Sequence, residues 1–129
     1  DVGSGQLNPK ILPLVINIEK TNVKDLDQNI IPDAIDLITS DLSFISLTKA
    51  LAASLKLGKE LVALIKPQFE VGKENIKKGI VRDDKLHQKA VEDIKTFLAN
   101  EGWKVHGVTA SPILGGDGNK EFLIHAGKR

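Results

Sequence analysis

The sequence has no cysteine, no methionine and no tyrosine among its 129 residues, and aromatic residues make up only 4% of it. Without cysteine, disulfides, thiol catalysis and cysteine-ligated zinc are excluded, and a reducing compartment such as the cytoplasm is expected. No apolar run approaches the roughly 18 residues that a membrane-spanning helix requires. We therefore expect no stable membrane association, and no signal or transit peptide is recognisable.

The lack of methionine and the start at Asp1 predict that the sequence is part of a longer gene product. The residues that are present suit one globular domain with one core. Hydrophobic residues make up 41% and charged residues 27%, a balance typical of folded chains rather than disordered ones.

Short apolar runs alternate with helical periodicity, which is typical of an α/β fold with a mostly parallel sheet. The run at 61–65 is apolar throughout, as in strands buried on both faces of such a sheet. Gly58 and Gly102 are natural helix ends, and the glycine-rich turn at 115–118 predicts a final antiparallel hairpin. The predicted elements are strands at 14–18, 35–39, 61–65, 103–109 and 121–125 and helices at 47–57 and 83–101.

Two residues of opposite charge each follow a predicted strand: Asp41 follows the second strand, and Lys66 follows the third. Ligands of open α/β sheets bind beyond the carboxyl ends of the strands, where neighbouring ends would bring both side chains into one crevice. Glu121, at the start of the last strand, is a third candidate. The pattern allows either a structural salt bridge or a lysine desolvated among carboxylates for proton-transfer chemistry.

The segment Asp1–Gly5 is a weak match to a nucleotide-binding glycine turn, because no strand precedes it and Pro9 and Pro13 interrupt the helix that should follow. We expect instead that Asp1 ends a strand, where a carboxylate can accept hydrogen bonds from ribose hydroxyls.

The long connection between the third strand and the second helix is basic. It is compatible with a solvated loop or with a surface that meets phosphates. Its basic residues are Lys73, Lys77, Lys78 and Arg82, against the single carboxylate of Glu74.

The three histidines, His87, His106 and His125, are dispersed in the sequence, and His87 falls on the predicted polar side of a helix. No pair has the spacing of metal ligands, so no metal site is predicted.

Seven motifs, in order along the whole chain, resemble the TlyA family of haemolysins and ribosomal RNA methyltransferases, which have an FtsJ-like domain. The motifs at 41–47 and 65–70 are the most specific. The seven are Asp-Val-Gly-x-Gly-Gln-Leu at 1–7, Glu-Lys-Thr-Asn at 19–22, Asp-Leu-Ser-Phe-Ile-Ser-Leu at 41–47, Ile-Lys-Pro-Gln-Phe-Glu at 65–70, Val-Arg-Asp at 81–83, Ser-Pro-Ile at 111–113 and Gly-Asp-Gly-Asn-x-Glu-Phe-Leu at 116–123.

The resemblance implies a Rossmann-like, S-adenosylmethionine-dependent methyltransferase sheet, with residues 1–129 as the latter part of that domain. Asp1 would then correspond to the end of the second strand of the family fold. The first strand with its glycine-rich methionine loop, and the small N-terminal RNA-binding domain of family members, have no counterpart in this sequence.

The resemblance also implies roles for particular residues. FtsJ-like enzymes use a Lys-Asp-Lys-Glu tetrad for ribose 2′-O-methylation, and Asp41, Lys66 and Glu121 resemble its last three members, whereas the first lysine has no counterpart here. Asp1, Asn22 and Asp41 are implied to contact the cofactor. The implied partner is ribosomal RNA or a ribosomal subunit, met by the basic residues Lys73, Lys77, Lys78 and Arg82.

Two other functions stay open. The segment Asp41–Phe44 is similar to the (Asn/Asp)-Pro-Pro-(Tyr/Phe) motif of amino-methyltransferases, in which the aromatic ring stacks on a flipped base, although both prolines are missing here. A non-catalytic RNA-binding or membrane-lytic protein is the other possibility. Lysis needs an exposed amphipathic surface, whereas the apolar face of the helix at 83–101 suits packing on a sheet.

Overall fold

The computed structural model describes all 129 residues as an α/β fold built on one four-stranded mixed sheet. No helix in it is both long enough and apolar enough to cross a membrane. Short 3₁₀ turns connect the main elements. These are β1 (Ile35–Ser40), α1 (Leu47–Ser54), β2 (Gly58–Ile65), α2 (Asp84–Asn100), β3 (Trp103–Ala110) and β4 (Phe122–Lys128).

The strands lie in the order β1-β2-β4-β3. β1 and β2 are parallel, and β4 runs antiparallel to both β2 and β3. The sheet is therefore mixed, as expected, but only one of its three strand pairs is parallel. The expected mostly parallel arrangement is not reached within these residues, because β4 lies between β2 and β3 and runs antiparallel to both.

The predicted strand at 14–18 is wrong. Leu12–Leu14 forms a 3₁₀ turn containing Pro13, and the residues after it make no ladder with the sheet, so Ile16 is 85% exposed. The segment lies instead beside the start of the chain, where the Asp1 nitrogen donates to the Ile18 carbonyl at 2.9 Å.

One face of the sheet and the apolar sides of both helices form the core, which centres on Leu51, Leu61, Ile94, Trp103 and Ile124. Burial alternates along β2, so this strand is covered on one face and not on both, contrary to the expectation from its apolar run. The apolar side of α2 is buried in the same core. This helix therefore does not present the amphipathic surface considered for membrane lysis.

The ends of the two helices differ in how well the sequence marks them. For α2, the Asp83 carboxylate accepts from the Lys85 amide at 2.9 Å, and Gly102 has a left-handed φ of 83° just past the end, as predicted. For α1, the predicted stop is wrong, because the helix ends at Ser54 and Gly58 begins β2.

The expected exposure of His87 is also wrong, because its side chain is buried on the first turn of α2. Its Nε2 lies 2.8 Å from the Val81 carbonyl, and its Nδ1 lies 3.1 Å from Asp84. The chain folds back at Val81 and covers the side of the helix on which His87 lies, a tertiary contact that helical periodicity does not show.

Candidate active site

The carboxyl ends of β1 and β2 bring together two of the predicted site residues. Lys66 Nζ lies 2.7 Å from Asp41 Oδ1 and donates to Ser43 Oγ at 3.3 Å. The Lys66 side chain is only 13% exposed, whereas that of Asp41 is 71% exposed. The parallel register, in which Ser40 pairs with Ala63, places the two strand ends side by side. The result is a largely buried cation held by a solvent-facing carboxylate.

Glu121 approaches this pair from the start of β4, the strand next to β2. The antiparallel register that pairs Ile65 with Phe122 makes Lys66 and Glu121 backbone neighbours. The Glu121 carboxylate is buried and makes no ion pair with Lys66; its Oε2 accepts from Gln68 Nε2 at 2.9 Å. Gly115 packs directly against it, because a Cβ at that position would overlap the carboxylate and force it to move.

The loop before Glu121 is fixed by one buried side chain, Asn119. Its amide nitrogen donates to the carbonyls of Gly79 and Gly116, and its oxygen accepts from the Val81 amide at 3.0 Å. These bonds tie the end of the basic connection to the turn that carries Glu121. Sequence reasoning missed Asn119, since a single amide side chain in a glycine-rich turn shows no pattern beyond the turn itself.

A second carboxylate of the same region, Glu70, caps α1. Its oxygens accept from Ser46 Oγ at 2.6 Å and from the Leu47 amide at 2.8 Å. Burial raises the pKa of Glu70 above its usual 4.5, the nearby Asp93 carboxylate adds to the rise, and the two hydrogen bonds oppose it. Glu70 thus anchors the 65–70 motif to the helix that follows the 41–47 motif.

A cleft of about 1410 Å³ opens beside Asp41. Asp1 and Asn22 line it too, so the structure brings the three predicted cofactor-binding residues to one concavity. Asp1 Oδ1 accepts from the Gly3 amide, and Asn22 Oδ1 accepts from the Lys24 amide. The second Asp1 oxygen and the Asn22 amide group make no hydrogen bond within the protein, so an acceptor for hydroxyls and a donor for ring nitrogens remain, which suits a nucleoside.

Two aromatic rings lie at the mouth of this cleft. Phe44 is 89% exposed and has a φ of 66°, a backbone conformation that bulky residues rarely adopt. Its ring lies 5.0 Å from that of Phe69 in a tilted arrangement. The pair gives the cleft an apolar platform three residues beyond Asp41.

The basic residues are not all gathered at the cleft. Lys73 lines it, whereas Lys77 and Lys78 lie on the turn that precedes Ile80, and Arg82 lies just before α2. All four are exposed. The structure therefore presents them as a stretch of surface that leads away from the cleft.

Comparison with known proteins gives concordant matches. A family model described as FtsJ-like methyltransferase matches residues 1–128. TlyA of Mycobacterium tuberculosis, named a 16S/23S rRNA (cytidine-2′-O)-methyltransferase, is 38% identical over 130 residues, which are 96% of this chain and 48% of that protein. Hemolysin A of Brachyspira hyodysenteriae is 40% identical over 132 residues, covering 97% of this chain and 55% of that protein.

A solved structure of a Streptococcus thermophilus protein that carries the name hemolysin is similar over 99% of this chain and 49% of its own, with a TM-score of 0.93 and 39% identity. The chain thus spans about half the length of the relatives it matches.

Proposed function

The chain belongs to the FtsJ-like methyltransferase family, and from this membership and the strand-end site we propose that it carries out S-adenosylmethionine-dependent 2′-O-methylation of ribosomal RNA. One observation carries the proposal: Lys66 is held 2.7 Å from Asp41, with the buried Glu121 beside it in the sheet. These three residue types also stand in the order of the family's catalytic tetrad.

Asp1, Asn22 and Asp41 are the residues proposed to hold the cofactor. S-adenosylmethionine, when bound, supplies an electrophilic methyl group on a positively charged sulfur. The free oxygen of Asp1 suits ribose hydroxyls, the Asn22 amide suits the adenine ring, and the exposed Asp41 carboxylate favours positive charge nearby. We propose that three parts of family members lie outside these residues: the first strand, its glycine-rich methionine loop and the small RNA-binding domain.

Lys66 is proposed to act on the ribose hydroxyl. In methyl transfer the 2′-oxygen forms a bond to the methyl carbon, the bond from that carbon to sulfur breaks, and the hydroxyl proton leaves. Lys66 is held by its ion pair with Asp41, and it acts by donating a hydrogen bond to the oxygen as negative charge develops there. The Asp41 carboxylate takes the proton and passes it to solvent.

The remaining residues orient the reactants. Gln68 holds the Glu121 carboxylate beside Lys66, and Ser43 gives the lysine a second contact. Holding the hydroxyl and the methyl group in line accounts for much of the acceleration expected of such a site. The exposed ring of Phe44 is placed to stack on the base of a nucleotide drawn out of its helix.

Base methylation is the second candidate, and only the exposed Phe44 favours it. That chemistry needs an aromatic platform and an acceptor for an amino group, whereas the pairing of Lys66 with Asp41 has no evident role in it. The ribose reaction uses all of these residues, so we prefer it.

The test is methyl transfer to ribosomal RNA by the full-length protein, with the modified atom mapped by mass spectrometry. Lys66→Ala is expected to abolish transfer while cofactor binding measured by calorimetry persists. Lys95→Ala, which removes a lysine on α2, is the matched control and should retain wild-type turnover. Wild-type turnover of Lys66→Ala would refute the assignment, and a methyl group found on a base would establish the second candidate.

A further inference from the structure

Three side chains that bind metals well meet on the face of the sheet that carries no helices. Glu60 comes from β2, His106 from β3 and His125 from β4. One ligating atom from each lies within 4.8 Å of the others. His125 Nε2 is already 2.8 Å from Glu60 Oε2, and the two imidazole rings are 4.8 Å apart, centre to centre.

The fold makes room for this cluster at Gly127. In the sheet register Gly127 lies between Glu60 and Lys104. A Cβ at Gly127 would come within 2.7 Å of His106 Nε2 and 2.9 Å of Glu60 Oε1. The glycine therefore lets a residue of β2 and a residue of β3 approach each other over the strand between them.

A bulge in β3 brings the second histidine to the same place. Val105 pairs with Ala126 and Gly107 with His125, so His106 is the extra residue of the bulge. The extra residue of a bulge does not follow the alternation of side chains between the two faces of a strand. Its side chain can therefore point towards a residue of the neighbouring strand. The three ligands thus depend on strand register, on a glycine and on a bulge, none of which their spacing in the sequence reveals.

We propose that Glu60, His106 and His125 form a binding site for a divalent transition-metal ion, with Zn²⁺ as the ion that the ligand set fits best. Two imidazoles and one carboxylate are common zinc ligands, and three protein ligands leave a fourth position for water. Donor atoms around tetrahedral zinc lie about 3.3 Å apart, given bonds of about 2.0–2.1 Å. The three ligating atoms, now within 4.8 Å of one another, would draw closer on binding, and the exposure of these side chains leaves them room to rotate.

The ion has a structural role and takes no part in methyl transfer. Glu60 lies near the start of β2 and Lys66 follows its end, so the cluster is roughly 20 Å from the strand-end site at about 3.3 Å per residue. A bound ion would join β2, β4 and β3 at the end of the sheet remote from the cleft. This proposal does not rest on the proposed enzymatic activity.

The test is zinc titration of the full-length protein after treatment with a chelator. We expect one ion per chain by calorimetry and a higher melting temperature when it is bound. His106→Ala and His125→Ala should each lower the affinity by about tenfold or more, since loss of even an outer-sphere partner typically costs about 10–100-fold. Glu92→Gln, which removes an exposed carboxylate on α2, is the control and should leave the affinity unchanged.

Absorption of bound Co²⁺ tests ligation directly, because a variant that only loosened the fold would not produce the spectrum of a new ligand. His125→Cys should still bind Co²⁺, but with the strong near-ultraviolet absorption of a thiolate ligand. The proposal is overturned if the wild-type protein binds no zinc at micromolar concentration, or if both histidine variants bind it as tightly as wild type. Should a histidine variant fail to fold, Glu60→Gln decides the matter: reduced affinity supports the site and unchanged affinity refutes it. Methyl transfer by these variants should match that of the wild type.

Discussion

Glu121 is 7% exposed, and the side chain that donates a hydrogen bond to its carboxylate is Gln68. The other end of this amide, Gln68 Oε1, is buried and accepts no hydrogen bond within the protein. A buried acceptor without a donor is unfavourable by itself, and Gln68 also lines the cleft. We therefore interpret Gln68 as a positioning residue, which is retained at this cost because it holds the Glu121 carboxylate in place.

Replacing Gln68 by leucine removes the donor and leaves the Glu121 carboxylate buried without it. We expect a decrease of about 1.5–3 kcal/mol in the free energy of unfolding, the usual range for a hydrogen bond to a charged group. Urea unfolding measures it. Gln88→Leu, at an exposed position of α2, is the matched control and should change stability by much less. Equal decreases in the two variants would contradict the role given to Gln68.

For single residues, the sequence was informative where a charged residue directly follows a strand. Asp41 and Lys66 could be placed together because each directly follows an apolar strand, and parallel neighbours end at the same edge. Gln68 and Asn119 could not be found in this way, because amide side chains occur in any loop and their long-range partners here lie 53 and 40 residues away. His87 was predicted to be exposed, and this prediction was wrong because residues outside its own helix bury its side chain.

The N-terminus of α1 joins two motifs that are far apart in the sequence. Ser46 precedes the helix and its hydroxyl accepts from the Thr48 amide, while Glu70, from the loop after β2, accepts from both Ser46 and the Leu47 amide. A carboxylate at a helix N-terminus is favoured by the helix dipole. Burial nevertheless dominates and raises the pKa of Glu70, so ionising this group in the folded protein is harder than in the unfolded chain.

A raised pKa makes the contribution of Glu70 to stability depend on pH. The contribution is fully present below the unfolded value of about 4.5 and is lost as pH rises through the higher folded value. We expect the unfolding free energy of wild type minus that of Glu70→Gln to fall as pH rises from 4 towards 7. Urea unfolding at several pH values tests this, with Glu101→Gln as a control for removing one carboxylate. A difference that grows with pH would contradict the expected sign.

Among the elements, the helix at 84–100 was predicted almost to the residue, because capping and periodicity agree there. The strand expected at 14–18 failed because an apolar run shows that a segment favours extension but not that a partner strand is available. Pro13 and the pairing of Ile18 with Asp1 then decide its local structure. The apolar run of β2 correctly predicted a strand. It also predicted burial on both faces, whereas only one face of the strand is buried.

At the scale of the whole molecule, the two proposed sites lie at opposite ends of the sheet. The cleft, the Lys66–Asp41 pair and the basic connection lie towards the carboxyl ends of β1 and β2, and the proposed metal cluster lies towards the other end. Net charge does not reveal this division, since the chain carries only +1 at pH 7. The proposed RNA-binding surface therefore depends on the local arrangement of cations.

Lys77 and Lys78 provide the clearest test of that surface, because both are exposed and neither forms an ion pair. If each binds a phosphate, replacing both by alanine should weaken RNA binding by the full-length protein. The slope of log affinity against log salt concentration should also become shallower by about 0.7 for each single-stranded phosphate that the variant no longer neutralises. Fluorescence anisotropy with a ribosomal RNA fragment at several salt concentrations measures both quantities.

The matched control is Lys89→Ala with Lys95→Ala, since these lysines lie on α2 and are already paired with Asp93 and Glu92. Removing them takes the same charge from the molecule but from another surface. If RNA binding depended only on the total charge of the molecule, the two double variants would change the affinity and the salt slope equally. A change confined to the Lys77 and Lys78 variant would instead locate the phosphate-binding surface on the basic connection, the surface that leads away from the proposed active-site cleft.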